Sequence, residues 1–212
     1  MYNKVVRWET LKPTVFSRIG DLKPNRSVVA HLKTPFFVPM EIVPFRQRVL
    51  DELILSSKEY SKLLGYDIFI RSSEFVEREI YVIRFYEGNF LHLTGVKTKL
   101  KAAEFFDKCF TESIAIDEFD CDSTPTIKGT VRHKLQNLLT IGSFFDKQLM
   151  CQENYNKGNI QCLLATSDGK FTIGFTGGHY SLNPQTLLHK NLLDPTKTIS
   201  NIQITKQYRL RK

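Results

Sequence analysis

Five histidines occur among the 212 residues, and one of them, His92, lies in Asn89-Phe90-Leu91-His92-Leu93-Thr94-Gly95, directly after the apolar run Glu79 to Tyr86. An imidazole titrates near neutrality and can take or give a proton. Thr94 places a hydroxyl two residues on. Arg132-His133-Lys134 forms a second group, and His179-Tyr180-Ser181, followed by Thr186, a third. These residue types suffice to cleave RNA without a metal. A base takes the proton of a ribose 2′-hydroxyl, a cation stabilises the charge that builds on phosphorus, and an acid protonates the leaving 5′-oxygen.

Each group has a plainer reading. His92 stands between Leu91 and Leu93, as a core histidine bonded to a backbone carbonyl would. Arg132-His133-Lys134 suits the solvated face of a helix. His179-Tyr180 suits a loop aromatic packed on a sheet, and Thr186, just after Pro184, suits a helix N-cap. Other chemistries lack their signatures: the chain has no P-loop, no G-x-G-x-x-G, no G-x-S-x-G and no H-E-x-x-H. No cluster of His and carboxylates stands out as a metal site, so no metal and no other cofactor is expected.

Thirty Lys and Arg face 22 Asp and Glu, for a net charge of +8. That balance favours a polyanion such as RNA as partner. The four cysteines, Cys109, Cys121, Cys151 and Cys162, show no C-x-x-C spacing. Met1 to Lys12 lacks the apolar core of a signal peptide, so free thiols and a cytoplasmic location are expected. No apolar run approaches the roughly 18 residues of a membrane span, and no membrane partner is expected.

The elements that must position these groups follow from periodicity. Residues 1–43, punctuated by Pro13, Pro24, Pro35 and Pro39, read as an irregular arm, and residues 44–212 as one domain. Helices are predicted near 45–64, 98–113 and 127–141, and strands near 66–71, 79–86, 160–166 and 170–176. Asp168-Gly169 reads as a tight hairpin turn. Residues 115–126 read as an acidic loop, 144–152 as a short element and 154–159 as a polar turn. Pro184 to Leu188 reads as a short helical or turn segment, and 202–204 as an edge strand. The fold class is α+β, an antiparallel sheet packed against helices, with His92 at the end of a strand.

Four segments, taken in order, resemble a known family. Asn89-Phe90-Leu91-His92-Leu93-Thr94-Gly95-Val96 is similar to the "N-F-x-H-L-x-G-hydrophobic" motif of phage-associated nuclease-like domains. These are grouped with the barnase, EndoU, colicin and RelE ribonucleases (the BECR fold) as their fourth phage subgroup. Ala102 to Asp107 resembles the helix that follows in the family, and Val131-Arg132-His133-Lys134-Leu135 its Lys-Leu segment. Ile173-Gly174-Phe175, Tyr180 and Pro184-Gln185-Thr186-Leu187-Leu188 resemble the closing "G-F … Y-x-P-x-[ST]-L-L" pattern. Tyr180 stands four positions before Pro184, further than the family usually keeps it. The equivalent hydroxyl is therefore Ser181 or Thr186, and the place two after proline favours Thr186.

The resemblance implies a metal-independent endoribonuclease of phage or mobile-element origin, acting in a bacterial cytoplasm and leaving a 2′,3′-cyclic phosphate. It implies His92 as general base or acid, Lys134 as the transition-state cation and Thr186 as a phosphate-positioning hydroxyl. Thr94, Arg132, His133, His179, Tyr180 and Ser181 would bind substrate. A toxin-like activity of this kind implies a protein inhibitor or antitoxin. The alternative is an inactive RNA-binding or partner-binding module on the same scaffold.

Overall fold

The computed structural model describes residues 44–209, and the arm predicted at 1–43 lies outside the described residues. After Pro44, whose carbonyl accepts Arg48 N–H, helix α1 runs over Phe45–Ser61. Val49, Leu53 and Tyr60 form its buried stripe. Strands β1 (Tyr66–Arg71) and β2 (Ile80–Arg84) pair antiparallel. A short helix α2 (Asn89–Thr94), strand β3 (Lys97–Thr98) and helix α3 (Ala102–Phe110) follow. Next come β4 (Phe119–Asp120), helix α4 (Pro125–Leu138) and a 3₁₀ turn at Ile141–Asp146. Strands β5 (Met150–Lys157), β6 (Ile160–Ser167), β7 (Phe171–Gly177), β8 (Leu182–His189) and β9 (Gln203–Tyr208) complete the described chain.

Seven strands form one sheet in the order β5-β6-β7-β8-β2-β1-β9, and β3 and β4 form a separate ribbon. The main core lies on one face of the seven-stranded sheet. There Ile83, Phe175, Leu182 and Leu187 meet Leu53, Phe90, Val131 and Leu135 from the helices. On the other face a smaller cluster gathers Tyr155, Cys162, Ala165 and Leu193. The α+β class and the three long helices stand as expected, with helix ends shifted by a few residues.

Four local expectations are corrected. His92 does not end a strand: β2 stops at Arg84 and the motif itself forms α2. Residues 184–188 are strand β8, since Leu182 and Leu187 reach the main core while Leu188 packs on the smaller cluster. The stretch after Ile141 is a 3₁₀ turn and then β5, which absorbs most of the predicted 154–159 turn. The sheet also has one parallel pairing, Ile83 beside Leu182, where β2 meets β8.

That parallel contact matters for the site. β2 pairs with β8 at this single register position, and helix α2 takes over the flank of β8 from there. The Asp168-Gly169 hairpin forms as predicted, with Gly169 at φ +86°. Asp168 accepts from Lys170 N and Phe171 N and bonds Lys147 Nζ at 2.7 Å.

Candidate active site

The motif around His92 can be explained residue by residue. Tyr60, buried in α1, packs its ring against Phe85 and Phe90 at 5.5 and 5.3 Å and donates its hydroxyl to Tyr86 O. The same carbonyl accepts Asn89 N, while the Asn89 side-chain oxygen accepts Tyr86 N at 3.1 Å. This reciprocal pair turns the chain out of β2 and starts α2. Phe90 and Leu93 are buried, facing the core. Thr94 closes the helix: its hydroxyl donates to Leu91 O at 2.8 Å and accepts from Val96 N.

Thr94 is therefore not a substrate ligand. It is fully buried, and its hydroxyl is already engaged on both sides. Gly95 follows in the left-handed region at φ +78°, where a Cβ is strained. A Cβ there would also come within 3.0 Å of Lys134 Cδ. The glycine thus lets the Lys134 stem cross the end of α2. Once these roles are assigned, His92 is the motif residue that reaches solvent with ionisable chemistry.

Lys134 comes from α4, which opens with Thr124 accepting Ile127 N and Pro125 in the first turn. Val131, Leu135 and Leu138 bury one face of α4. Lys134 lies half-buried beside that stripe, and its Nζ donates to His92 O at 3.1 Å. An ammonium carries three protons, so two remain for another acceptor. Loss of hydration pushes the Lys134 pKa below its ordinary value. Among the described residues no carboxylate lies in ion-pair contact with it.

His133, one residue earlier and exposed, stacks on His189 with ring centroids 4.4 Å apart and planes 19° from parallel. His189 ends β8, and the helical or turn segment expected at 184–188 conceals the strand alternation that would single it out. Arg132, also exposed, points to the other flank of α4, into a cleft with α1.

The remaining candidates lie elsewhere. His179, Tyr180 and Ser181 occupy the β7–β8 turn, where Arg78 Nη1 donates to His179 O at 3.2 Å and Tyr180 is 85% exposed. β8 then runs for seven residue steps from Leu182 to His189. At about 3.3 Å per step that is roughly 20 Å, too far for the turn and the stacked histidines to hold one phosphate. Thr186 pairs with Gly174, which pairs with Ala165. A Cβ on Gly174 would approach Thr186 Cγ2 to 2.9 Å and Cys162 Sγ to 2.5 Å. Its strand neighbour Leu187 enters the main core, so Thr186 projects to the opposite face of the sheet. Among the described residues no hydrogen bond links it to His92 or Lys134.

The described residues thus bring together His92 and Lys134, with His133 and His189 on the adjoining surface. They contain no group of three His, Cys, Asp or Glu side chains placed to hold a metal ion. All four cysteines are free and buried. No helix among the described residues is long and apolar enough to cross a membrane.

Comparison with known proteins gives one finding. A family model described as phage-Barnase-EndoU-ColicinE5/D-RelE like nuclease 4 matches residues 53–209, which include α2, α4 and the whole sheet. No curated protein and no solved structure gives a significant match.

Proposed function

The chain belongs to the phage-Barnase-EndoU-ColicinE5/D-RelE like nuclease 4 family, and from that premise we propose that it is a metal-independent endoribonuclease built on His92 and Lys134. The observation that carries this reading is the contact of Lys134 Nζ with His92 O at 3.1 Å. It fixes a cation on the backbone of the residue that carries an exposed imidazole, in a motif whose other polar side chains, Asn89 and Thr94, are spent on holding the backbone.

In this reading the imidazole of His92 takes the proton of the ribose 2′-hydroxyl. The 2′-oxygen attacks phosphorus, the bond from phosphorus to the 5′-oxygen breaks, and a 2′,3′-cyclic phosphate and a 5′-hydroxyl result. The two unspent protons of Lys134 bond the phosphoryl oxygens as charge builds on them. The leaving 5′-oxygen takes its proton from an imidazolium, for which the stacked His133 and His189 are the candidates. Thr186, turned to the opposite face, is assigned none of this chemistry. The net charge of +8 supports a polyanionic substrate. The phage association in the family description supports a bacterial cytoplasm as the place of action.

The test is purified protein with RNA of defined sequence, analysing product ends. Cyclic phosphate ends, and loss of cleavage when the attacking ribose is replaced by 2′-deoxyribose, are expected. Cleavage that survives the deoxy substitution contradicts the mechanism, and binding of RNA without any cleavage leaves the non-catalytic module as the better reading.

A further inference from the structure

Helices α1 and α4 pack against each other and leave between them a cleft of about 360 Å³. Phe45, Arg48, Glu52, Lys128, Arg132 and Gln136 line it. Three cations thus face one carboxylate. Among the described residues Arg48, Lys128 and Arg132 make no ion-pair contact with any acid. Glu52 lies close enough to Arg48 and Arg132 to feel their charge, yet burial raises its pKa. The Lys128 ammonium sits 4.7 Å from the centre of the Phe45 ring, so the cleft pairs an aromatic face with its cations.

The placement of this cleft relative to Lys134 follows from helix geometry. Successive residues on α4 turn by about 100°. With Val131 and Leu135 facing the core, Lys128 and Arg132 fall on the flank toward α1. Lys134 falls on the flank toward α2, and His133 lies on the crest between them. The two flanks are separated by about one helix diameter, some 10–12 Å. An anion held at Arg132 is therefore a different group from one held at Lys134.

We infer that the α1–α4 cleft is a second phosphate-binding subsite, which takes a neighbouring phosphodiester of an RNA strand that crosses α4 from the His92–Lys134 site. The inference rests on the proposed nuclease reading. It adds the direction in which substrate leaves the cleavage site and the residues that hold it there. Arg48 and Arg132 present guanidinium forks suited to phosphate oxygens, and Phe45, with Lys128 over its ring, gives the cleft an apolar wall. Glu52, close enough to both arginines to feel their charge, opposes an anion in the cleft.

The test is done with the full chain carrying His92→Ala, so that binding is read whether or not the wild type cleaves. Affinity for a single-stranded 12-nucleotide RNA is measured against salt concentration. Arg48→Gln with Arg132→Gln is expected to weaken binding roughly fivefold or more, and to reduce the slope of log affinity against log salt by about 0.7, the value for one phosphate no longer neutralised. Lys157→Gln with Lys197→Gln, an equal charge change at exposed positions that touch neither α1 nor α4, is the control and is expected to leave the slope near that of the parent. Glu52→Gln is expected to tighten binding by removing the opposing charge. Equal losses in the cleft and control variants would overturn the inference, as would weaker binding in Glu52→Gln that has kept its melting temperature. A free phosphate site is the other source of the same chemistry. If inorganic phosphate at constant ionic strength displaces the RNA from the parent completely, the strand assignment is overturned.

Discussion

Lys134 reaches across 42 positions of sequence to place its ammonium on the backbone carbonyl of His92, 3.1 Å away. The contact needs Gly95. With φ at +78° and no Cβ, Gly95 leaves the space through which the lysine stem passes. A short helix, a left-handed glycine and a lysine from another helix therefore form one unit, and its parts fail together.

Gly95→Ala tests that unit. The left-handed backbone alone costs about 1–2 kcal/mol for a residue with a Cβ, and the methyl group would also displace Lys134. Denaturant unfolding should show a loss of that order. Cleavage by the protein that remains folded should fall as well, because the ammonium no longer sits at His92. A variant with full cleavage would show that the position of Lys134 is not used.

Lys134→Met keeps the stem and removes the charge. Its desolvated ammonium has a pKa below the ordinary 10.5, so folding disfavours the protonated form. The penalty is complete below the folded pKa and vanishes as pH rises to 10.5. The wild type should therefore gain stability relative to Lys134→Met as pH rises from neutrality to 10.5. Cleavage at neutral pH should fall by roughly 10²–10³, the scale for losing a group that stabilises transition-state charge. Paired unfolding curves at the two pH values read the first effect. A difference that moves the other way would show that the charge is favoured by folding.

Asp168 carries the turn between β6 and β7. Burial raises its pKa, but Lys147 and the amides of Lys170 and Phe171 outweigh burial and hold it below 3.8. The carboxylate's contribution is thus complete above 3.8 and is lost as pH falls through the folded value. Asp168→Ala should cost about 2–3 kcal/mol at neutral pH, as expected for losing charged hydrogen bonds, and the difference from wild type should shrink in acid. Chemical denaturation across the acid range checks both statements.

Periodicity located α1, α3, α4 and four of the strands because each carries a stripe or alternation long enough to read. It failed at β8, where Pro184 suggested a turn. There the strand bulges: Pro184 pairs with Phe175 and Thr186 with Gly174, so Gln185 is the extra residue. It failed at α2 because six residues hold fewer than two turns. The choice of His92 and Lys134 as candidates was legible from their residue types and the family resemblance, and their contact was not. The burial of Thr94, the stacking of His133 on His189 and the direction of Thr186 were not, since each depends on which elements pack together. The cleft of Arg48, Lys128 and Arg132 arises only when α1 lies against α4.

If His92 moves the proton in a cleavage that needs no metal, loss of its imidazole must slow the reaction and removal of divalent ions must not. The direct measurement is the rate of RNA cleavage by wild type and by His92→Ala, each with and without a chelator, at equal folded concentration. A fall of roughly 10²–10⁴ is expected in His92→Ala, with an unchanged unfolding midpoint and no effect of chelator on the wild type. Undiminished cleavage in His92→Ala, or wild-type cleavage abolished by chelator and restored by added divalent cation, would contradict the mechanism.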